Sequence, residues 1–162
     1  GIDLKIGNLV VQPLQYEELA YVKAIRDQAL DYLETQVSYT LEQTQEWFTR
    51  TTPKWYSITI GKDFIGYIRT SDFNKVSRSI YVGIDIAEDY RGSGYAYQVY
   101  QEFLHWLNIT GHLHALLRVQ VKNYRAYNLY RKLGFRTVGV LEDFVITPTG
   151  NSLDVIIMQK KL

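Results

Sequence analysis

The 162-residue chain has no cysteine. That excludes a disulfide framework, a thiolate metal site and a catalytic thiol. Charge of either sign is not in surplus: 18 basic side chains face 17 acidic ones. A dedicated nucleic-acid binder would show a basic excess, so no nucleic-acid partner is expected. No apolar run approaches the roughly 20 residues of a membrane span, and the start carries no signal-peptide pattern. These absences lead us to expect no membrane partner and a cytoplasmic location. Proline is scarce, at three residues, and no Pro/Gly linker, repeat or low-complexity stretch divides the chain. One domain over 1–162 is expected. Of the three histidines, His112 and His114 are close together and His105 lies seven residues before the first. Metal ligation needs further ligands, so no metal is expected.

What is abundant is apolar and aromatic: 46% of residues are hydrophobic and 14 are tyrosine. Leu9–Leu14 reads as a strand. Tyr16–Leu33 places Leu19, Val22, Ile25, Ala29 and Leu33 at helical spacing. Thr40 starts a second helix, with Gln43 completing a capping box. The period then changes to two. Trp55–Ile60 and Phe64–Thr70 are strands joined by Gly61-Lys62-Asp63. Arg78–Ile86 is a third, with Ile80, Val82, Ile84 and Ile86 on one face and Tyr81, Gly83 and Asp85 on the other. A helix from about Tyr95 to Asn108, a strand His114–Val121 and a helix Asn123–Leu133 follow. Strands Arg136–Thr147 and Leu153–Lys160 close the chain around Thr149-Gly150-Asn151. The order β-α-α-β-β-β-α-β-α-β-β predicts an α/β fold with a mixed sheet and helices on both faces.

Between the third of the period-two strands and its helix stands Arg91-Gly92-Ser93-Gly94. A helix N-terminus offers unpaired N–H groups and partial positive charge, and glycines admit a close anion. No Gly-Lys-Ser/Thr follows, so this is not a Walker loop. Tyr97 stands where a Rossmann loop would need a third glycine. A plain glycine-rich helix start fits these residues equally well. Further on, Asn123, Ala126, Tyr127 and Tyr130 share one helical face. Alone, Asn123 reads as an N-cap and Tyr130 as a core-edge tyrosine.

Together, the two segments resemble the GNAT superfamily of N-acetyltransferases. Arg91-Gly92-Ser93-Gly94-Tyr95-Ala96 is similar to that family's Q/R-x-x-G-x-G/A pyrophosphate loop. Asn123–Phe135 is similar to its second segment, an asparagine and a tyrosine seven residues apart followed by Gly-Phe. The resemblance implies the GNAT fold, acetyl-CoA as cofactor and direct attack of a primary amine on the thioester. It implies a cradle of backbone N–H groups from Arg91, Gly92, Ser93, Gly94, Tyr95 and Ala96. Ile84, Asp85 and Ile86 would pair with the pantetheine arm like an added strand, with a backbone N–H there meeting the oxyanion. Asn123 and Ala126 would hold the arm from the other side. Tyr130 would be the general acid: a phenol pKa of about 10 lies near enough a thiol's roughly 8.5. Many relatives carry a glutamate base on the strand before the loop, and Tyr81 stands where some have it. Asp85, on the same face, is the candidate base through water; substrate binding or a plain strand end are its other readings. Arg125, Arg131 and Lys132 are placed either to meet nucleotide phosphates or to form a solvated helix face.

The acceptor is less legible. Ile25-Arg26-Asp27 and "SYTLEQTQEWF" (Ser38–Phe48) are similar to segments of nucleotide-aminosugar N-acetyltransferases, with Asp27 where asparagine is usual. The same branch contains ribosomal-protein N-terminal acetyltransferases. The expectation is a small-molecule amine acceptor such as a nucleotide-linked aminosugar. The alternatives are a protein N-terminal or lysine acetyltransferase and a non-catalytic acyl-CoA-binding module. The chain is expected to act as a monomer or homodimer.

Overall fold

The alternating segments form strands and the segments of period 3.6 form helices. The computed structural model describes residues 2–162. In chain order the elements are β1 (Leu4–Ile6), β2 (Leu9–Pro13), α1 (Leu19–Gln28), α2 (Leu41–Thr51), β3 (Tyr56–Ile60) and β4 (Asp63–Asn74). They continue with β5 (Ser79–Ile86), α3 (Tyr95–Ile109), β6 (His114–Gln120), α4 (Tyr124–Lys132), β7 (Arg136–Ile146) and β8 (Ser152–Lys161). Among the described residues one eight-stranded sheet runs in the order β1-β2-β3-β4-β5-β6-β8-β7. Its neighbours are antiparallel except β5 and β6, which are parallel.

Alternation along β4 sends Ile68 to one face and Tyr67 to the other. Ile68 joins a large core with Ile58, Ile80 and Val82 and the buried face of α3: Val99, Tyr100, Phe103, Leu104 and Leu107. Burying a side chain such as Phe103 or Leu107 contributes roughly 2 kcal/mol. Tyr67 joins Leu14, Leu19, Val22 and Ile25 in a smaller core beneath α1. Helices therefore cover both faces, as expected.

One strand is added to the expected set and several boundaries move. β1 was not expected; the left-handed Gly7 (φ +61°) turns it onto β2. The helix expected over Tyr16–Leu33 is α-helical only from Leu19 to Gln28, with single 3₁₀ turns before and after. The cause is tertiary. The Arg26 guanidinium donates to the carbonyls of Thr35 and Val37, and Asp27 accepts from Ser38 Oγ (2.9 Å) and Lys23 Nζ (2.6 Å). These bonds pull residues 35–38 back across the helix end. β4 extends past Thr70 to Asn74 through a bulge at left-handed Asp72. β7 ends at Ile146, and two register shifts against β8 bend it. The Thr40 cap forms as predicted: Gln43 N–H donates to Thr40 Oγ1 (3.1 Å) and Thr40 N–H to Gln43 Oε1 (2.9 Å).

Candidate active site

β5 and β6 start side by side and then separate. Their register holds Ser79 against His114, Ile80 against Ala115 and Tyr81 against Leu116, and ends there. Beyond it, Val82 to Ile86 pair with β4 only, while Leu117 to Gln120 pair with β8. The backbone of β5 thus presents an open edge toward the gap, able to take an extended chain by strand addition. Ile84, Asp85 and Ile86 lie on that edge.

A cavity of about 300 Å³ adjoins the gap on the α1 side; Tyr67, Arg69, Tyr81, Gly83, Asp85 and Tyr130 are in its wall. Its floor follows from antiparallel register: Tyr67 sits opposite Asp85, and Arg69 opposite Gly83. The Arg69 side chain lies across Gly83, where a Cβ would overlap the guanidinium. It reaches Asp85, with Nε donating to Oδ2 at 3.0 Å. Burial works to lower the Arg69 pKa, but Asp85 and the surrounding tyrosines outweigh it, so the guanidinium is held more firmly charged than usual. Asp85 is 14% exposed. Tyr81 faces the same cavity, with Arg118 stacked over its ring at 4.6 Å.

The loop after β5 has the two left-handed glycines that the sequence suggests, Gly92 (φ +81°) and Gly94 (φ +80°). A Cβ on Gly94 would meet nothing within 4 Å, and one on Gly92 would meet only the tip of Arg125, at 4.0 Å. Gly94 caps α3 without a side-chain bond. Among the described residues, the N–H groups of Gly92 through Tyr97 donate to no carbonyl, while Arg91 N–H closes the preceding turn on Glu88 and Gln98 N–H begins the helical ladder on Gly94. An open row of amides at a helix N-terminus, with an arginine beside it, suits a pyrophosphate. Arg91 turns away from this row: its Nε donates to the Ile86 carbonyl (2.9 Å), tying the loop to the end of β5.

On α4, Asn123 is the N-cap, its Oδ1 accepting from Ala126 N–H (3.3 Å). Tyr130 lies two turns further along the same face, so α4 brings it to the cavity whose wall also holds Asp85 of β5. Its ring packs edge-on against Tyr100 (5.7 Å between centroids) and Phe135 (6.1 Å). Burial pushes the Tyr130 phenol up, and the neighbouring Tyr100 hydroxyl works against that. Burial also pushes Tyr67 and Tyr100 well above their usual value. The folded chain therefore keeps phenolic protons that the unfolded chain releases above pH about 10, and stability must fall as pH rises through that range. The melting temperature followed from pH 8 upward is expected to turn down as it passes pH about 10.

Other expected residues are dispersed. Arg131 donates to the Tyr127 hydroxyl (3.3 Å), and Lys132 lies over the Tyr97 ring (5.6 Å); of the three basic residues, Arg125 is the one beside the loop. His112 bonds the Leu107 carbonyl (3.1 Å) and His114 the Ser77 carbonyl (3.3 Å). Among the described residues no cluster of three His, Asp or Glu could hold a metal. Sequence reasoning missed Arg69. Its signal was alternation: between Tyr67 and Ser71, it shares the face of Asp85.

A split between parallel strands with a glycine-rich helix start beside it can take an extended chain and an anion at its end. The model of the Acetyltransferase (GNAT) family matches residues 21–135, well over half of the chain, and the chain belongs to that family. It is an N-acetyltransferase with acetyl-CoA as acyl donor. Solved structures share the fold. Spermidine N-acetyltransferase from Vibrio cholerae, in complex with CoA and spermine, is 21% identical, with a TM-score of 0.87 over 95% of each chain. Ribosomal-protein-alanine N-acetyltransferase from Brucella melitensis is 19% identical, with a TM-score of 0.79 over 94% of this chain and 99% of that one. The Salmonella typhimurium protein yncA, solved with acetyl-CoA, is 13% identical, with a TM-score of 0.79 over 96% and 95%. No curated protein sequence matches the chain. No helix among the described residues is long and apolar enough to cross a membrane.

Proposed function

We propose that the chain acetylates a small primary amine that also carries an anionic group and a flat ring, as a nucleotide-linked aminosugar does. One observation carries this reading: the cavity beside Tyr130 is bounded by three arginines, Arg26, Arg69 and Arg118, against two carboxylates, Glu34 and Asp85. Asp85 pairs with Arg69 and Glu34 with Arg118, which leaves the charge of Arg26 in excess, a balance that favours an acceptor with an anionic group over a polyamine. A second cavity, of about 510 Å³, shares Arg26 and Trp55 with the first and adds Tyr39, Trp47 and Arg50. Trp47, Trp55 and Tyr67 form a ladder of rings between the two, at 4.8 and 5.4 Å, the second step nearly parallel (4°). Aromatic faces beside arginines are the surroundings a base with its phosphates favours.

In this reading acetyl-CoA supplies the acetyl thioester. The amides of Gly92 to Ala96, assisted by Arg125, hold its pyrophosphate. Ile84, Asp85 and Ile86 hold the pantetheine arm by backbone bonds, with Asn123 and Ala126 opposite. Arg91 serves by bracing the loop. Asp85, already paired with Arg69, orients the incoming ammonium, whose proton leaves to water. The amine nitrogen then bonds the acyl carbon, its second proton leaves to water, and the carbon–sulfur bond breaks. Tyr130 gives its phenolic proton to the departing sulfur and is reprotonated from solvent.

A thiol-release assay tests the acceptor class with three sets of amines: nucleotide-linked aminosugars, alanine- or serine-initiated peptides, and polyamines. The expected result is turnover with the first set at a kcat/KM at least tenfold above the others. Preference for peptides or for spermidine would overturn the acceptor assignment. Tight acetyl-CoA binding with no turnover on any set would overturn the catalytic roles.

A further inference from the structure

Tyr100 is 1% exposed, in the middle of α3, and its hydroxyl is buried without a hydrogen-bond partner of good geometry among the described residues. A buried, unpaired hydroxyl destabilises a fold relative to an apolar group of the same shape. Phenylalanine would fill this place as well, and the neighbouring inward positions on α3 are apolar: Val99, Phe103, Leu104 and Leu107. The fold does not account for the oxygen. The neighbour that does is Tyr130, whose ring meets that of Tyr100 edge-on at 5.7 Å.

We propose that Tyr100 is a positioning residue for acetyl transfer: its hydroxyl donates to the Tyr130 oxygen as Tyr130 gives up its proton. This rests on Tyr130 being the acid. When the Tyr130 proton passes to the sulfur, a phenolate remains on a half-buried ring against Tyr100 and Phe135, where an unpaired charge is costly. A donor already fixed beside it supplies the missing bond without reorganisation, and a bond to a charged acceptor is stronger than one to a neutral phenol. The same donor works against the burial that raises the Tyr130 phenol, making it a more willing acid. Arg69 adds positive potential to both rings from the cavity floor. Poor geometry before reaction is consistent with a bond that tightens only as charge develops.

The test compares Tyr100→Phe, Tyr130→Phe and the double variant by kcat, KM for acetyl-CoA and melting temperature. Tyr100→Phe is expected to lower kcat about tenfold, to leave KM within about twofold, and to melt no lower than the parent. In the Tyr130→Phe background it should add nothing, because its acceptor is gone. If Tyr130→Phe lowers kcat but Tyr100→Phe does not, the inference about Tyr100 fails while the acid stands. If Tyr130→Phe leaves kcat unchanged, the acid assignment itself fails, and this proposal with it. A lower melting temperature for Tyr100→Phe would show that the hydroxyl serves the fold, and would also overturn it.

Discussion

Tyr130→Phe is expected to lower kcat by about 10²-fold while acetyl-CoA binds within about threefold of the parent affinity. The substitution keeps the ring, so its packing on Tyr100 and Phe135 stays. It removes the one proton that the proposed scheme places at the leaving sulfur. Binding energy from the loop amides and the β5 edge does not pass through this oxygen, so it should survive. The measurement is kcat from thiol release with calorimetric titration of acetyl-CoA alongside. An unchanged kcat would remove Tyr130 from the chemistry; a parallel loss of affinity and turnover would make it a binding residue.

Arg69→Met is expected to lower the melting temperature by roughly 5–10 °C and raise the acceptor KM. The arginine is partly open to the cavity, with 40% of its side chain exposed, but its partner Asp85 is only 14% exposed. Losing one member of such a pair strands a carboxylate beside Tyr67 at the cavity floor. For a fully buried pair that costs about 3–5 kcal/mol. Solvent access through the cavity discounts it to about 2–3 kcal/mol, or a few degrees per kcal/mol in a chain of this size. Adding Asp85→Leu should recover most of the loss, because both charges are then gone. If Arg69→Met melts like the parent, the pair does not hold the floor together. Gly83→Ala should act in the same direction, because its Cβ would displace the guanidinium.

Residues 91–96 and 123–130 were legible because backbone geometry dictates residue type at key positions there. Left-handed turns at 92 and 94 favour glycine, and a helix cap at 123 favours asparagine. The period-two faces of β5 also read correctly, with Ile80, Val82 and Ile86 buried and Gly83 and Asp85 at the cavity. What did not read were features set by distant partners. The helix over Tyr16–Leu33 stops early because Arg26 and Asp27 capture a segment ten residues further on. Nothing local to Leu30 or Tyr32 announces that. Arg69 was invisible for the same reason: its meaning depends on the register that seats it opposite Gly83. β1 escaped because three residues carry no period.

The separation of β5 from β6 has a mechanical consequence. Among the described residues the ladder between β5 and β6 has three residue pairs, with Leu113 N–H donating to the Arg78 carbonyl (2.8 Å) just before it, and this is the short backbone seam between the unit β1–β5 and the unit β6–β8–β7. The two are half-sheets on a short hinge, held also by the side chains of α3 and α4 and by Gln120, whose amide donates to the Leu33 carbonyl. Amide exchange should reflect this, with Val82 to Ile86 and Leu117 to Gln120 protected on one flank only. An extended molecule laid against the β5 edge and under α4 would act as a splint across that hinge, so occupying the cleft and stiffening the sheet become one event.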